Sequence, residues 1–185
     1  MDKEPTLESV KSDDGVHCAF FYGTLMVPGV FYSVCYNTSD PPKAFQDLHT
    51  FTPAILHGYC RRRVEFADYP GIVEDNDHKV FGTFTTGLTK ANLERLDFFE
   101  GPSYERRTVT VKLLDKVGDV HGHGQVEGEE RKAEVYVYLN AAELEDREWD
   151  LEEFRREKLQ NWTRQGYVFE DCDPGTTAKV AGEAW

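Results

Sequence analysis

An apolar run, Val16 to Phe21, ends abruptly in Tyr22-Gly23-Thr24-Leu25. A strand that is mostly apolar along its length belongs inside a sheet, because both of its faces need cover. The glycine after it releases the next backbone N–H groups from any ladder and allows close approach to the main chain. Free N–H groups at such a turn make a small anion seat, suited to a carboxylate. Most strand-Gly-Thr turns are plain structure, so this one gains weight only beside a second stretch. That stretch is Leu93-Glu94-Arg95-Leu96-Asp97-Phe98-Phe99-Glu100-Gly101.

Thr89 to Phe99 has the clearest helical period in the chain, with Thr89 as N-cap, Gly101 as the stop and Pro102 behind it. Leu93 and Leu96 define its buried stripe. At 3.6 residues per turn, Glu100 falls within about 20° of Leu93 and Asp97 about 40° to the other side. Carboxylates are seldom set on a core face without a partner or a task. Glu100 is therefore either an ion-pair partner of Arg106 or Arg107, or a working acid. Asp97 reads as a helix-end or partner-bound acid rather than a second catalytic group.

The remaining segments are mainly extended. Val16 to Tyr22 is the first strand. Val27 to Val34 suits a short helix with Pro28 in its first turn. Asn37 to Pro42 is a loop, and Ala44 to Thr52 fits neither period. Strands follow at Ala54–Tyr59 and Val80–Thr86, with a Pro-Gly turn opening an extended segment at Tyr69–Val73 and a further turn at Asp75-Asn76-Asp77. Tyr104–Leu114 and Ala133–Leu139 are strands, the former with Val109 and Val111 alternating with Thr108, Thr110 and Lys112. Lys116 to Lys132, polar and glycine-rich, reads as a long exposed hairpin loop. Asp150 caps a last helix, with Glu153 in the capping-box position and Leu151, Phe154, Leu159 and Trp162 roughly sharing a face. No repeat and no second domain is visible. The expectation is one domain over 16–169, between a disordered lead-in, 1–15, and a frayed tail, 170–185.

The formal charge of −13 argues against nucleic acid and against acidic membrane surfaces. An anionic substrate would need a local basic patch. Arg61-Arg62-Arg63 reads best as an exposed strand end, and alternatively as a basic rim for a substrate carboxylate. The first residues show no secretory signal, and no apolar run reaches membrane-spanning length. Cys18, Cys35, Cys60 and Cys172 follow no zinc or dithiol spacing, which suggests reduced thiols and a cytoplasmic protein. No cysteine is an obvious nucleophile. His121 and His123, at i and i+2, are a weak metal pattern, since no cysteine lies near them in the sequence.

With these residues in view, the chain resembles the γ-glutamylcyclotransferase-like family, in the branch named for plant avirulence-induced genes. The resemblance rests on Phe21-Tyr22-Gly23-Thr24-Leu25, Tyr69-Pro70-Gly71-Ile72, Val80-Phe81-Gly82, Leu96-Asp97-Phe98-Phe99-Glu100 and Tyr104-Glu105-Arg106-Arg107-Thr108-Val109. The Ala133–Tyr138 strand and Trp149-Asp150-Leu151-Glu152-Glu153-Phe154 extend it, so that it covers roughly Phe20 to Trp162. It implies an α+β fold, a small mixed β-barrel with surrounding helices. It also implies a cleft between the Tyr-Gly-Thr-Leu loop and a catalytic glutamate, here Glu100. The implied activity turns a γ-glutamyl amine or peptide into 5-oxoproline plus the free amine. On matched positions Tyr22, Gly23, Thr24 and Leu25 are the substrate loop, and Tyr104 and Tyr136 are tyrosines at the site. No metal and no organic cofactor is implied; the partner is a small γ-glutamyl molecule. The familiar mammalian peptide-acting branch has Tyr-Gly-Ser-Asn where this chain has Tyr-Gly-Thr-Leu, so glutathione is not selected. A non-catalytic relative that binds a small molecule or a protein in the same cleft is the alternative.

The chemistry of the residues agrees with that implication. Ring closure needs the substrate α-amine to lose a proton and attack its own γ-carbonyl. A carboxylate on an apolar face has a raised pKa, which makes it a better base near neutral pH.

Overall fold

The computed structural model describes residues 16–118, 123–147 and 149–150. The first strand, β1 (His17–Phe21), is followed by a single 3₁₀ turn at Thr24–Met26, then by α1 (Pro28–Tyr36) and a one-turn α2 (Lys43–Gln46). Two long strands come next, β2 (Phe51–Arg63) and β3 (Pro70–Leu88). Helix α3 (Lys90–Glu100) leads into β4 (Tyr104–Lys116) and β5 (Val126–Tyr138). Strand order is β1-β3-β2-β4-β5, and the sheet closes on itself. Neighbouring strands run antiparallel except at the closure, where β1 lies parallel to β5 with Ala19 opposite Glu134. The fold is thus α+β, as expected.

Strand β1 shows why an all-apolar run was needed. Phe20 and Tyr22 point into the closed sheet, joining Ala54, Leu56, Ile72, Val80, Phe84, Val111 and the alternating Ala133, Val135 and Val137 of β5. Ala19 and Phe21 point the other way, into a second core made with Leu25, Val30, Phe31, Val34, Leu88, Leu93 and Leu96. Each large side chain so buried contributes about 1.5–3 kcal/mol relative to exposure. Gly82 lets the inner core close: a Cβ there would lie 2.3 Å from the Phe21 carbonyl oxygen and 2.6 Å from the Phe20 ring.

Helix α1 occupies the range expected for it, with Pro28 at its start. Helix α3 begins with a reciprocal cap. Thr89 Oγ1 accepts from the Asn92 N–H at 3.1 Å, and Asn92 Oδ1 accepts from the Thr89 N–H at 3.0 Å. Arg95 ties α3 to the end of α1, donating to the Val34 carbonyl at 2.8 Å and to Asn37 Oδ1 at 2.8 Å.

Three segments differ from the expectation. Ala44 to Thr52, which fits neither period, divides between the end of α2 and the start of β2. Asp75-Asn76-Asp77 is no hairpin turn. It is an excursion within β3, where the register jumps from Glu74 opposite Tyr59 to Lys79 opposite His57. Sequence alone sees the same Asx-rich signal in a turn and in a wide bulge. The Lys116–Lys132 loop is also shorter than expected. Residues from Val126 onward form a polar two-stranded ribbon with β4, with Lys132 opposite Thr110 and Arg131 opposite Val111. Its backbone ladder is made although its side chains face solvent, so no apolar alternation marks it. The lead-in, the tail and the helix expected beyond Asp150 lie outside the described residues.

Candidate active site

The turn after β1 and the end of α3 meet at one pocket. Tyr22, Gly23, Thr24, Leu25, Glu100, Tyr104 and Tyr136 all line it, together with Phe20, Phe21, Tyr69, Pro70, Phe99, Pro102 and Ser103. Its volume is about 120 Å³. A water needs about 10–15 Å³ of such space, so the pocket has room for a small molecule.

The floor of the pocket is the 3₁₀ turn. The Met26 N–H donates to the Gly23 carbonyl at 3.0 Å, and the Val27 N–H to that of Thr24 at 3.1 Å. The earlier N–H groups, of Gly23, Thr24 and Leu25, are the ones that a first helical turn leaves without an internal acceptor. Gly23 is required for a reason beyond ligand approach. A Cβ there would lie 2.8 Å from Pro70 Cγ, so the Tyr-Pro-Gly motif packs directly against the Tyr-Gly-Thr-Leu motif. Leu25 contributes a buried apolar side chain, and Thr24 is buried beside it.

Glu100 is the last residue of α3. Gly101 breaks the helix with φ +76° and its N–H closes on the Asp97 carbonyl at 3.1 Å. The Glu100 side chain is partly accessible through the pocket and enclosed by protein elsewhere. That loss of water, reinforced by the Asp97 charge one turn back, pushes its pKa up to about 8. The ion-pair alternative for Glu100 is not realised. Arg106 pairs with Asp97 at 3.5 Å and with Glu134 at 3.9 Å, and Arg107 with Glu105 at 2.8 Å and Glu74 at 3.6 Å. Asp97 is the partner-bound acid, since it also accepts from the Tyr136 hydroxyl at 2.8 Å.

Phenols surround the acid and are held by backbone oxygens. Tyr22 donates to the Tyr136 carbonyl at 2.5 Å, and Tyr104 donates to the Pro70 carbonyl at 2.7 Å. Burial drives the pKa of Tyr22, Tyr104 and Tyr136 far above the ordinary phenol value, helped most by the Glu100 charge at Tyr22, by the neighbouring Tyr22 at Tyr104 and by the Asp97 carboxylate at Tyr136. These rings therefore stay neutral and act as fixed hydrogen-bond donors.

The arginine run is not an exposed strand end, nor a rim to the pocket. Arg61 reaches under the turn, donating to the Tyr22 carbonyl at 2.9 Å and the Phe81 carbonyl at 3.3 Å. Arg62 pairs with Asp146 at 3.4 Å; Arg63 donates to the Ala67 carbonyl at 2.7 Å. Among the described residues, no lysine or arginine lines the pocket. Sequence reasoning missed Arg61 because its acceptors are carbonyls on other strands. It also missed Phe99, Pro102 and Ser103, although all three immediately flank Glu100. His123 is exposed, and His121 lies outside the described residues. Among the described residues, no helix is long and apolar enough to cross a membrane.

A family model described as "Gamma-glutamyl cyclotransferase, AIG2-like" matches residues 19–164. The chain belongs to that family. Among Arabidopsis thaliana relatives, it is 34% identical to Protein AIG2 C over 145 residues, which are 78% of this chain and 75% of that protein. It is 31% identical to AIG2-like protein C over 144 residues, 77% of this chain and 72% of the relative. Two solved solution structures of Arabidopsis proteins share the fold. One has a TM-score of 0.52 at 29% identity, covering 91% of this chain and 97% of its own. The other has a TM-score of 0.53 at 25% identity, with coverages of 83% and 98%.

Proposed function

We propose that the pocket cyclises a small γ-glutamyl compound, an amine or a peptide derivative, to 5-oxoproline and releases the amine. The observation that carries this reading is that the Glu100 carboxyl, largely enclosed by protein, lines the same small cavity as the Gly23–Leu25 turn. Membership of the γ-glutamyl cyclotransferase, AIG2-like family supports the reaction class.

The substrate α-ammonium gives a proton to ionised Glu100. The freed amine nitrogen attacks the γ-carbonyl carbon, and a tetrahedral oxyanion forms. As it collapses, the carbon–nitrogen bond to the leaving amine breaks and Glu100 returns the proton to that nitrogen; the ring nitrogen then gives up its second proton through Glu100 to the released amine, which departs as its ammonium. Atoms and protons balance without a covalent enzyme intermediate or a bound cofactor. A base with a pKa near the working pH serves both proton transfers, a contribution typically of about 10²–10⁴-fold. The N–H groups of the turn would hold either the oxyanion or the substrate α-carboxylate, a role that falls to the backbone because no cationic side chain lines the pocket among the described residues. Holding the γ-glutamyl chain bent makes the attack intramolecular, which supplies much of the acceleration.

The test is 5-oxoproline release from a panel of γ-glutamyl amines and γ-glutamyl peptides by the full chain. Release from at least one member is expected. A silent protein that still binds panel members would replace the enzyme by a binding protein using the same pocket.

A further inference from the structure

The excursion in β3 does more than bend the hairpin. Asp75 to His78 have no opposite residue in β2, and the excursion lies next to Cys60, which pairs with Val73. Gly58, at φ +83°, turns β2 at the same place. As a result one sulfur, one carboxylate oxygen and one imidazole nitrogen, from Cys60, Asp75 and His78, all lie within 4.8 Å of one another. None of the three lines the pocket.

We propose that Cys60, Asp75 and His78 form a binding site for a borderline divalent cation of the zinc class. The donor set carries the choice of ion. A thiolate and an imidazole favour zinc over magnesium or calcium, which take oxygen ligands. Three protein ligands leave a fourth position for water. Ligand atoms around a tetrahedral zinc are about 3.5 Å apart, from bond lengths of roughly 2.0–2.3 Å. Asp75 and His78 already stand at 3.0 Å. All three donor atoms lie within 4.8 Å of one another, so small side-chain rotations, that of the exposed His78 ring among them, draw the set together.

The second shell is also partly built. The Asp77 N–H donates to Asp75 Oδ1 at 3.1 Å, which fixes that carboxylate and leaves Oδ2 directed at His78. Together these two contacts hold the Asp75 carboxyl below the usual carboxylate range. Arg62 is the cation beside the site. It pairs with Asp146 at 3.4 Å, a partner it keeps when a metal takes the thiolate. The sequence gives no hint of this site. Cys60 is fifteen residues from Asp75, and only the hairpin register brings them together.

The test is a titration of the chelator-treated full chain with cobalt(II), followed by zinc. Binding of one cobalt per chain with a near-ultraviolet thiolate-to-cobalt charge-transfer band is expected, and zinc should bleach it. Cys60→Ser should abolish the band. His78→Ala, a change at an exposed position that leaves the fold intact by circular dichroism, should weaken cobalt binding by about 10–100-fold. Cys18→Ser should leave both unchanged. Absence of the band, its loss in Cys18→Ser, or unaltered affinity in His78→Ala would each overturn the site.

Discussion

Helices α1 and α3 lie side by side on the same outer core and use their faces differently. α1 buries six of its residues, Val30 to Cys35, and the Phe31 ring is fully enclosed, edge-on to Phe51 at 5.5 Å and to His49 at 5.0 Å. α3 buries only Asn92, Leu93 and Leu96. The position that would complete its stripe is Glu100, a carboxyl set against a cavity. One helix gives its whole surface to stability; the other gives up part of its own to keep an acid poorly hydrated. The difference suggests where function lies: in the place where burial and charge are in conflict and, among the described residues, no ion pair resolves it.

The comparison can be broken or sharpened experimentally. The largest effect belongs to the reaction. Glu100→Gln should lower turnover by about 10²–10⁴-fold with an unchanged circular dichroism spectrum. Next, Phe31→Ala should cost about 3–5 kcal/mol in chemical denaturation while leaving the activity per folded molecule intact. An equal loss of specific activity in both variants would erase the contrast between the helices.

The third effect reverses the usual sign. Glu100 has a folded-state pKa of about 8 against an ordinary value of 4.5. The folded state therefore holds this proton more tightly, and its contribution to stability is lost as pH rises from about 4.5 through about 8. Glu100→Gln should accordingly raise the melting temperature at about pH 9 by several degrees more than at about pH 5, since 1 kcal/mol is worth about 2–4 °C at this size. The smallest effect is at the other end of α3. Thr89→Ala removes the cap on Asn92 and should cost about 1 kcal/mol, with no change in the pH profile of turnover.

Much of this was legible before any coordinates. β1 reads as internal because Val16 to Phe21 is mostly apolar, and its Ala19, Phe20 and Phe21 are buried on both faces of the sheet while Val16 stays exposed. α3 could be placed from Thr89, Leu93, Leu96 and Gly101, and its geometry put Glu100 on the core side. What could not be read was pairing across strands. The bulge at Asp75–His78 and the ribbon of Val126–Lys132 depend on register, which local composition does not encode. Arg61 looked like an exposed charge, because it donates to the Tyr22 carbonyl just beyond β1 and to the Phe81 carbonyl on β3, acceptors far off in the chain. Pro70 against Gly23 likewise links two motifs that the sequence shows only as separate turns.

The central claim is that a poorly hydrated Glu100 carries the proton in ring closure. The most direct measurement is the pH dependence of kcat/KM for 5-oxoproline release, in the wild type and in Glu100→Gln. The wild type should rise about tenfold per pH unit and level off near pH 8, and that limb should be missing from the residual activity of the variant. A wild-type limb near the ordinary carboxylate value, or the same limb surviving in Glu100→Gln, would contradict the account.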